Sequence, residues 1–304
     1  MDHLANVSEW PVERVGAAAV LPDGSVLRVG ATTDRFALAS VTKVLVAVAV
    51  MVAVEEETLR LDEPAGPPGA TVGHLLAHAS GLAADSDQVI GPPGTRRIYS
   101  NRGFEVLGAI LTDRAGMDVS AYLHAAVFEP LGMEDTTLEG SPAHGAVGTV
   151  DDLIRLVEDL RSPQPTVVAA SSRDLLASVA YPGLPGVLPG FGQHADNTWG
   201  LGVEIRGAKS PHWTPDGASP RTFGHFGRSG SLVWIDPDHG AALVVLGDRD
   251  FGDWAPARWR ALGDEVLRAA AAVTDDLADV APDRQHRGMA ADVEGVVDES
   301  RKSP

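Results

Sequence analysis

The chain has 304 residues, of which 44% are hydrophobic and 22% are charged, which is the composition of a globular protein with a large core. Its formal net charge of −18 argues against a nucleic-acid surface, which needs clustered cations, and disfavours binding to an anionic membrane. There is no cysteine, so disulfides and thiolate chemistry are excluded. The amino-terminal residues lack a basic segment followed by an apolar one, and the longest apolar run is too short to span a bilayer, so we expect a cytoplasmic protein.

The first predicted elements are a β-hairpin and a long buried helix. Val15–Val20 and Ser25–Val29 flank a Pro-Asp-Gly turn, which is typical of two antiparallel strands. The run from Val41 to about Glu57 is rich in valine but is too long for one strand. We therefore predict a helix there that is apolar on all sides and buried.

The middle of the chain favours helices, and the part after about residue 195 favours strands. Further helices are predicted at 71–78, 102–115, 119–127 and 150–161. Short β-rich segments separated by Gly, Pro and Asp predict strands at Trp199–Ile205, Thr222–His225, Ser231–Ile235 and Ala241–Leu246. An amphipathic helix is predicted to follow, from about Pro256 to Val273.

Strands at both ends of the chain and helices between them predict an α+β fold. The expected architecture is one antiparallel sheet built from both chain termini and flanked by helices, with an inserted helical region. The predicted domain covers residues 1–274, with its α/β part at about 1–60 and 196–274 and the helical region at about 61–195. Residues 275–304 hold eight acidic and four basic side chains with little apolar periodicity, which predicts a disordered tail.

Ser40 and Lys43 are the first candidates for chemistry. The chain has only three lysines, and Lys43 directly precedes the apolar run Val44–Val54, so burying that run carries an ammonium group to the edge of the core. Residues three apart lie on one face of a helix, so the serine hydroxyl and the lysine amine can meet. A desolvated lysine can take the proton of a serine, and N–H groups at a helix start can stabilise an oxyanion. The alternative is a serine N-cap followed by a lysine whose ammonium reaches solvent.

The segment Phe36-Ala-Leu-Ala-Ser-Val-Thr-Lys43 resembles the first motif of the serine β-lactamase and penicillin-binding protein superfamily. It is most similar to the branch of class C β-lactamases, D-alanyl-D-alanine carboxypeptidases and family VIII esterases. Other segments resemble further family motifs in the same order: Leu59–Pro64, His74–Leu82, Pro93–Asn101, Phe128–Thr136, Gly224–Ser231 and Trp234–Pro237. The resemblance covers about residues 12–270 and implies the β-lactamase/transpeptidase-like fold.

The resemblance also implies roles for the matching residues. Ser40 would be the acyl-accepting nucleophile and Lys43 its activating partner, while Tyr99 and Asn101 match the family's Tyr-x-Asn motif. A tyrosine near a lysine can carry a lowered pKa and shuttle the serine proton to the leaving group, so either Lys43 or Tyr99 can be the general base. Asn101 would hold Lys43 and a substrate carbonyl. The alternative for Tyr99 is a core aromatic whose hydroxyl is satisfied.

His225-Phe226-Gly227 occupies the place of the family's Lys-Thr-Gly or His-Thr-Gly strand. By resemblance, the oxyanion hole would consist of the backbone N–H groups of Ser40 and Arg228, and Gly227 would let the strand approach the substrate closely. Phe226 departs from the pattern. Relatives that bind β-lactams or peptides use a hydroxyl here to contact the substrate carboxylate, and phenylalanine cannot do so. This departure favours an apolar acyl group or an ester, with the side chain of Arg228 as a candidate replacement cation.

These features predict a metal-independent serine hydrolase without a cofactor, most simply a carboxylesterase that acts on small acyl esters. The alternatives are a β-lactamase or D-amino-acid amidase or peptidase and, from another class, a catalytically inactive binding protein with the same fold. The absence of a signal peptide argues against a cell-wall enzyme. His74 and His78 are four apart on a predicted helix, but no third metal ligand is evident. Trp199, Trp213 and Phe191 are candidates either for the wall of an acyl pocket or for packing.

Overall fold

The computed structural model describes residues 4–280, in which one large antiparallel sheet carries helices on both faces. The strands are β1 (Val15–Val20), β2 (Val26–Gly30), β3 (Phe36–Ala37), β4 (Thr137–Leu138), β5 (Ala146–Gly148), β6 (Gly186–Leu188), β7 (Gly192–His194), β8 (Glu204–Ile205), β9 (Phe223–Phe226), β10 (Leu232–Asp236) and β11 (Ala241–Gly247). The helices are α1 (Thr42–Glu55), α2 (Val72–Leu76), α3 (Asn101–Ala115), α4 (Val119–Leu123), α5 (Glu129–Leu131), α6 (Val150–Arg161), α7 (Ala170–Leu176) and α8 (Ala255–Val280).

The main sheet joins the two ends of the domain. Its strand order is β2-β1-β11-β10-β9-β8, and every neighbouring pair is antiparallel. Strand β1 pairs with β11 from Val15↔Gly247 to Val20↔Ala242, so the amino-terminal hairpin lies beside the last strand that the structure describes. The predicted α+β fold, with a sheet built from both termini, is confirmed.

Alternating side chains divide the core between the two faces of the sheet. On β11, Val244 and Leu246 face the cluster that contains α1 and α6, whereas Leu243 and Val245 face the cluster that contains Trp259 of α8. Helix α1 lies between the sheet and the helices α3, α4 and α7, which surround it. This position explains why the run Val44–Val54 is apolar on all sides, because it has no wide solvent face on which polar residues could lie.

The structure differs from the sequence prediction in several element lengths. The strand predicted at Trp199–Ile205 is reduced to Glu204–Ile205, because the chain turns at Gly202, where φ is +81°. The Gly200 N–H donates to the Val203 carbonyl across this turn, and a Cβ on Gly202 would lie 2.2 Å from the Cβ of Ala47 in α1. A glycine is therefore required where the turn touches the buried helix.

The predicted helix at 71–78 ends earlier, at Leu76, and the predicted helix at 119–127 passes into a π-helical turn at His124–Phe128. The last helix extends to Val280, seven residues past its predicted end, so residues 275–280 of the predicted tail are helical. The rest of that tail, 281–304, lies outside the described residues.

Candidate active site

Ser40 lies in a strained turn directly before α1. It is the middle residue of the 3₁₀ turn Ala39–Val41, and Ala39 has a left-handed backbone with a φ of +45°. Holding a non-glycine residue in that region costs about 1–3 kcal/mol, which the surrounding packing must offset. The turn presents the hydroxyl of Ser40, which is only half buried, at the start of the helix.

Lys43 is fully buried, and its amine contacts three oxygen atoms. Nζ lies 2.7 Å from Asn101 Oδ1, 2.8 Å from the backbone oxygen of Ala143 and 3.4 Å from Ser40 Oγ. The spacing of three residues therefore brings the serine and the lysine together, as the sequence predicts.

Burial lowers the pKa of Lys43 to about 7, although the negative charges of Asp85 and Glu105 act in the opposite direction. A substantial fraction of the amine is therefore neutral near pH 7. A neutral amine has two N–H groups and one lone pair. It can donate to the two nearer oxygens and direct its lone pair toward the Ser40 hydroxyl.

Tyr99 contacts the same hydroxyl from the other side. Its Oη donates a hydrogen bond of 2.8 Å to Ser40 Oγ, and its ring centroid lies 4.8 Å from Lys43 Nζ. Burial raises the pKa of Tyr99 above its usual range, and the nearby carboxylates of Glu204 and Asp85 raise it further. The sequence analysis allowed a lowered pKa for Tyr99, and the raised pKa contradicts that possibility. The phenol stays protonated and acts as a donor to Ser40.

Arg97 fixes the loop that carries Tyr99. Its guanidinium is buried and forms no salt bridge among the described residues, but it donates hydrogen bonds to backbone carbonyls of three separate segments. These carbonyls belong to Ala77, Ala180, Tyr181 and Asn197. The loop therefore has little freedom to move away from the nucleophile.

Asn101, the first residue of α3, bridges Lys43 and an acidic loop. Its Oδ1 accepts from Lys43 Nζ, and its Nδ2 donates a hydrogen bond of 2.7 Å to Asp85 Oδ1. Ser100 caps the helix by accepting from the Gly103 N–H. Sequence reasoning identified Asn101 but missed Asp85, because no motif or spacing marks that residue.

His225, near the end of β9, is held neutral. Burial and the charge of Lys43 lower the pKa of His225 to about 3. Its Nδ1 lies 2.7 Å from the backbone oxygen of Phe226, so Nδ1 carries the proton and donates it, and Nε2 is left as an acceptor. No described residue donates to this Nε2 atom, which is buried. The family position that often carries a cation is therefore uncharged here.

Gly227 marks a close approach between β9 and the nucleophile turn. A Cβ on Gly227 would lie 2.6 Å from the backbone oxygen of Leu38 and 3.0 Å from the Cβ of Ala39. The glycine predicted to serve substrate approach thus also lets the strand end contact the residues before Ser40. Strand β10 pairs with His225 and Phe226 on one side of β9, whereas β8, on the other side, pairs only with Phe223 and Gly224. On the β8 side, no strand of the main sheet therefore lies beside this end of β9.

The backbone N–H of Arg228 has no acceptor among the described residues, which leaves it able to donate to a substrate oxygen. The side chain of Arg228 is 84% exposed, and its Nε lies 3.0 Å from Asp250 Oδ2. The replacement cation considered in the sequence analysis is therefore paired with Asp250 at the surface in this arrangement.

A cavity of about 300 Å³ opens beside the Ser40 hydroxyl. Its lining combines the predicted site residues with apolar groups: Ser40, Tyr99, Asn101, Leu188, Pro189, Gly190, Trp199, Glu204, His225, Phe226, Arg228 and Phe251. Trp199 lines the cavity, whereas Phe191 and Trp213 pack against Phe226, with ring centroids 5.8 and 5.7 Å away. A pocket of this kind suits a small apolar group.

A buried ion cluster that the sequence analysis missed forms part of the cavity wall. Glu204 Oε1 lies 2.7 Å from Lys209 Nζ and 2.8 Å from His212 Nε2, and Glu204 Oε2 accepts from Trp213 Nε1 at 2.6 Å. Burial alone would raise the pKa of Glu204, but Lys209 and His212 outweigh it and hold that pKa below its usual range. One signal was present in the sequence, because Lys209 is one of only three lysines.

The two histidines considered as metal ligands have separate partners. The ring of His74 stacks on Tyr181 with centroids 4.3 Å apart, whereas His78 Nδ1 accepts from the Ser100 N–H. Among residues 4–280, no three His, Asp or Glu side chains are placed so that they could hold a metal ion. Within the same part of the chain, none of the helices has both the length and the apolar character that a membrane span requires.

Comparison with known proteins identifies relatives over most of the domain. A family model described as beta-lactamase matches residues 11–268. A relative from Salmonella enteritidis PT4 with the provisional name D-alanyl-D-alanine carboxypeptidase is 26% identical over 206 residues, which are 52% of this chain and 46% of the relative. The chain thus spans about half the length of the curated relatives it matches.

Solved structures share the fold. One of a protein described as a β-lactamase from Mycobacterium bovis is 52% identical and superposes with a TM-score of 0.85 over 88% of this chain and 99% of that one. EstCE1, described as a hydrolase with promiscuous acyltransferase activity, is 19% identical and superposes with a TM-score of 0.70 over 88% of this chain and 96% of that one. The latter likeness concerns the fold alone.

Proposed function

Because the chain belongs to the β-lactamase family of serine hydrolases, we propose that it hydrolyses small carboxylic esters through an acyl-enzyme on Ser40. One observation carries this proposal. The Ser40 hydroxyl accepts a hydrogen bond from the protonated phenol of Tyr99 and lies 3.4 Å from an amine that is partly neutral at pH 7. The proposed nucleophile is thus in contact with both the proposed base, Lys43, and the proposed acid, Tyr99.

In the proposed acylation, Lys43 takes the proton of Ser40 as Oγ attacks the ester carbonyl. The new bond joins Oγ to the acyl carbon, and the negative charge of the tetrahedral intermediate faces the backbone N–H groups of Ser40 and Arg228. Collapse of the intermediate breaks the bond to the alcohol oxygen. Tyr99 donates its proton to that oxygen and recovers one from the ammonium of Lys43.

Hydrolysis of the acyl-enzyme follows the same steps, with water as the nucleophile and Ser40 Oγ as the leaving group. Lys43, neutral again, accepts a proton from the attacking water, and Ser40 leaves with the proton that the ammonium and the phenol return. Lys43 is the better candidate for the base, because its pKa is lowered to about 7 whereas the pKa of Tyr99 is raised.

The chemistry of the cavity favours an ester with a small apolar acyl group. Phe226 supplies an apolar ring where relatives carry a hydroxyl. His225 is neutral, and its one ring nitrogen without a hydrogen bond, Nε2, is an acceptor that cannot bind a carboxylate. The guanidinium of Arg228 is paired with Asp250. A substrate carboxylate would therefore meet no free cation at this position.

Labelling with a fluorophosphonate tests the nucleophile. We expect the intact mass to increase by one phosphonyl group, peptide mapping to place it on Ser40, and Ser40→Ala to remain unlabelled. A folded protein that does not react would contradict the hydrolase and favour the binding protein with the same fold.

A β-lactamase activity is the second candidate, because the relative that is 52% identical is described as one. Steady-state turnover of p-nitrophenyl butyrate and of a chromogenic cephalosporin distinguishes the two. We expect the larger kcat/KM for the ester. A larger value for the cephalosporin would reverse the order of the two proposals.

A further inference from the structure

Among the described residues, Asp85 is the one acidic side chain that forms a hydrogen bond with Asn101, whose amide oxygen binds Lys43. Its Oδ1 lies 2.7 Å from Asn101 Nδ2, and Asn101 Oδ1 lies 2.7 Å from Lys43 Nζ. An ionised carboxylate only accepts hydrogen bonds, so Asp85 can bind only the NH₂ end of the amide. This contact orients the Asn101 amide so that its oxygen points toward Lys43.

The loop that carries Asp85 is attached to the start of α3. The Arg102 N–H donates to the Ala84 carbonyl at 3.0 Å, and the Ser100 hydroxyl donates to the Ala83 carbonyl at 2.7 Å. The carboxylate is thus held beside Asn101 although the residue itself is exposed. Among the described residues Asp85 forms no salt bridge, and its one hydrogen bond is to the amide of Asn101.

We propose that Asp85 is a positioning residue that acts through Asn101: it fixes the amide so that Oδ1 binds Lys43 and the lysine lone pair faces Ser40. This inference rests on the proposed function for its effect on catalysis. The effect of Asp85 on the pKa of Lys43 does not depend on catalysis, so it can be measured even if the protein hydrolyses no substrate.

The charge of Asp85 adds a second effect. Burial opposes the ammonium form of Lys43, while the negative charges of Asp85 and of Glu105, which lies on α3, favour it. His78 and His225 also lie near the amine, but burial and the charge of Lys43 lower the pKa of both, so they are neutral. The phenol of Tyr99 also faces the amine but stays uncharged. Removing the charge of Asp85 should therefore lower the pKa of Lys43 further.

The scarcity of lysine makes that shift measurable. In protein labelled with ¹³C at lysine Cε, three signals are expected, and the one lost in Lys43→Met belongs to Lys43. We expect this signal to titrate near pH 7 in the wild type and at lower pH in Asp85→Asn and Asp85→Ala. Asp87→Asn is the matched control, because Asp87 lies on the same loop but pairs with Arg102, whereas the carboxylate that binds Asn101 is Asp85.

Acylation rates separate the geometric effect from the effect of charge. Asn at position 85 can still accept from Asn101, so Asp85→Asn should keep most of the acylation rate, whereas Asp85→Ala should lose about tenfold. In both variants the acid limb of the pH–rate profile should move to lower pH.

If both Asp85 variants have the same Lys43 pKa and the same acylation rate as Asp87→Asn, the inference is overturned. If the wild type is not labelled at Ser40, the proposed function fails, and the titration alone decides the role of Asp85.

Discussion

The hydroxyl of Ser231 donates a hydrogen bond of 2.7 Å to the backbone carbonyl of Leu38, although the two residues lie 193 positions apart. Ser229 makes a similar bond to the carbonyl of Ala37. These bonds join the turn after β9 to the segment just before the nucleophile. They fix the backbone of Arg228 relative to that of Ser40, whose N–H groups are the proposed oxyanion donors.

Gly227→Ala should separate these two segments. The new methyl group would lie 2.3 Å from Ser231 Oγ and 2.6 Å from the Leu38 oxygen, so the strand end must shift. We expect the free energy of unfolding to fall by about 2 kcal/mol and the rate of fluorophosphonate labelling to fall about 100-fold. Urea unfolding and timed intact-mass spectra measure the two effects.

Gly252→Ala is the control, because a Cβ there would meet no atom closer than 3.9 Å and the residue does not need a left-handed backbone. Its stability and labelling rate should equal those of the wild type. Equal labelling rates for Gly227→Ala and Gly252→Ala would show that the close approach of β9 is not needed for acylation.

The acylation rate should depend on pH through Lys43. The amine is the active form, and burial lowers its pKa to about 7, so the rate should rise as pH increases through 7. The pKa of Tyr99 is raised, so the phenol should keep its proton and no loss is expected between pH 8 and 10. Single-turnover acylation between pH 5 and 10 tests both limbs. A decline that begins at pH 8 would contradict the assignment of the proton donor.

The same lysine should make the fold more stable at alkaline pH. Its folded-state pKa of about 7 lies below the unfolded value of 10.5, so the unfolded chain binds one more proton between these values and stability rises with pH across that window. From pH 7 to pH 9 the gain should be about 2 kcal/mol. Urea unfolding of the wild type and of Lys43→Met at both pH values tests this. The variant should lack the gain, and equal pH dependence in the two proteins would contradict the shift.

Sequence and structure agree where one local pattern or one motif decides the outcome. The spacing of Ser40 and Lys43 already places them on one face of a helix start, and the structure brings Tyr99 and Asn101 to the same point. The pKa of Tyr99 could not be predicted from its nearness to Lys43, because its direction depends on how many separate segments bury the ring. Asp85 was missed for a related reason, since its contact with Asn101 depends on a loop conformation that no sequence pattern records.

Phe226 can be tested by restoring the hydroxyl that relatives carry at this position. Phe226→Thr and Phe226→Val have nearly the same shape, so their difference isolates the hydroxyl from the lost packing against Phe251 and Trp259. We expect the ratio of kcat/KM for a chromogenic cephalosporin to kcat/KM for p-nitrophenyl butyrate to rise about tenfold in the threonine variant relative to the valine variant. Equal ratios in the two variants would mean that the hydroxyl does not decide between the substrates.

Lys209→Met should lower the free energy of unfolding far more than the same substitution of an exposed lysine would. Glu204 would be left as a buried carboxylate with one fewer donor, and breaking a buried pair of this kind costs about 3 kcal/mol or more. The double variant Glu204→Gln, Lys209→Met removes both charges and should recover part of the loss, with Gln still able to accept from Trp213 Nε1. Urea unfolding of the two single variants and the double variant forms the cycle. Additive losses of stability would show that the charges of Glu204 and Lys209 are not coupled. The ion pair would then not contribute to the stability of this cavity wall.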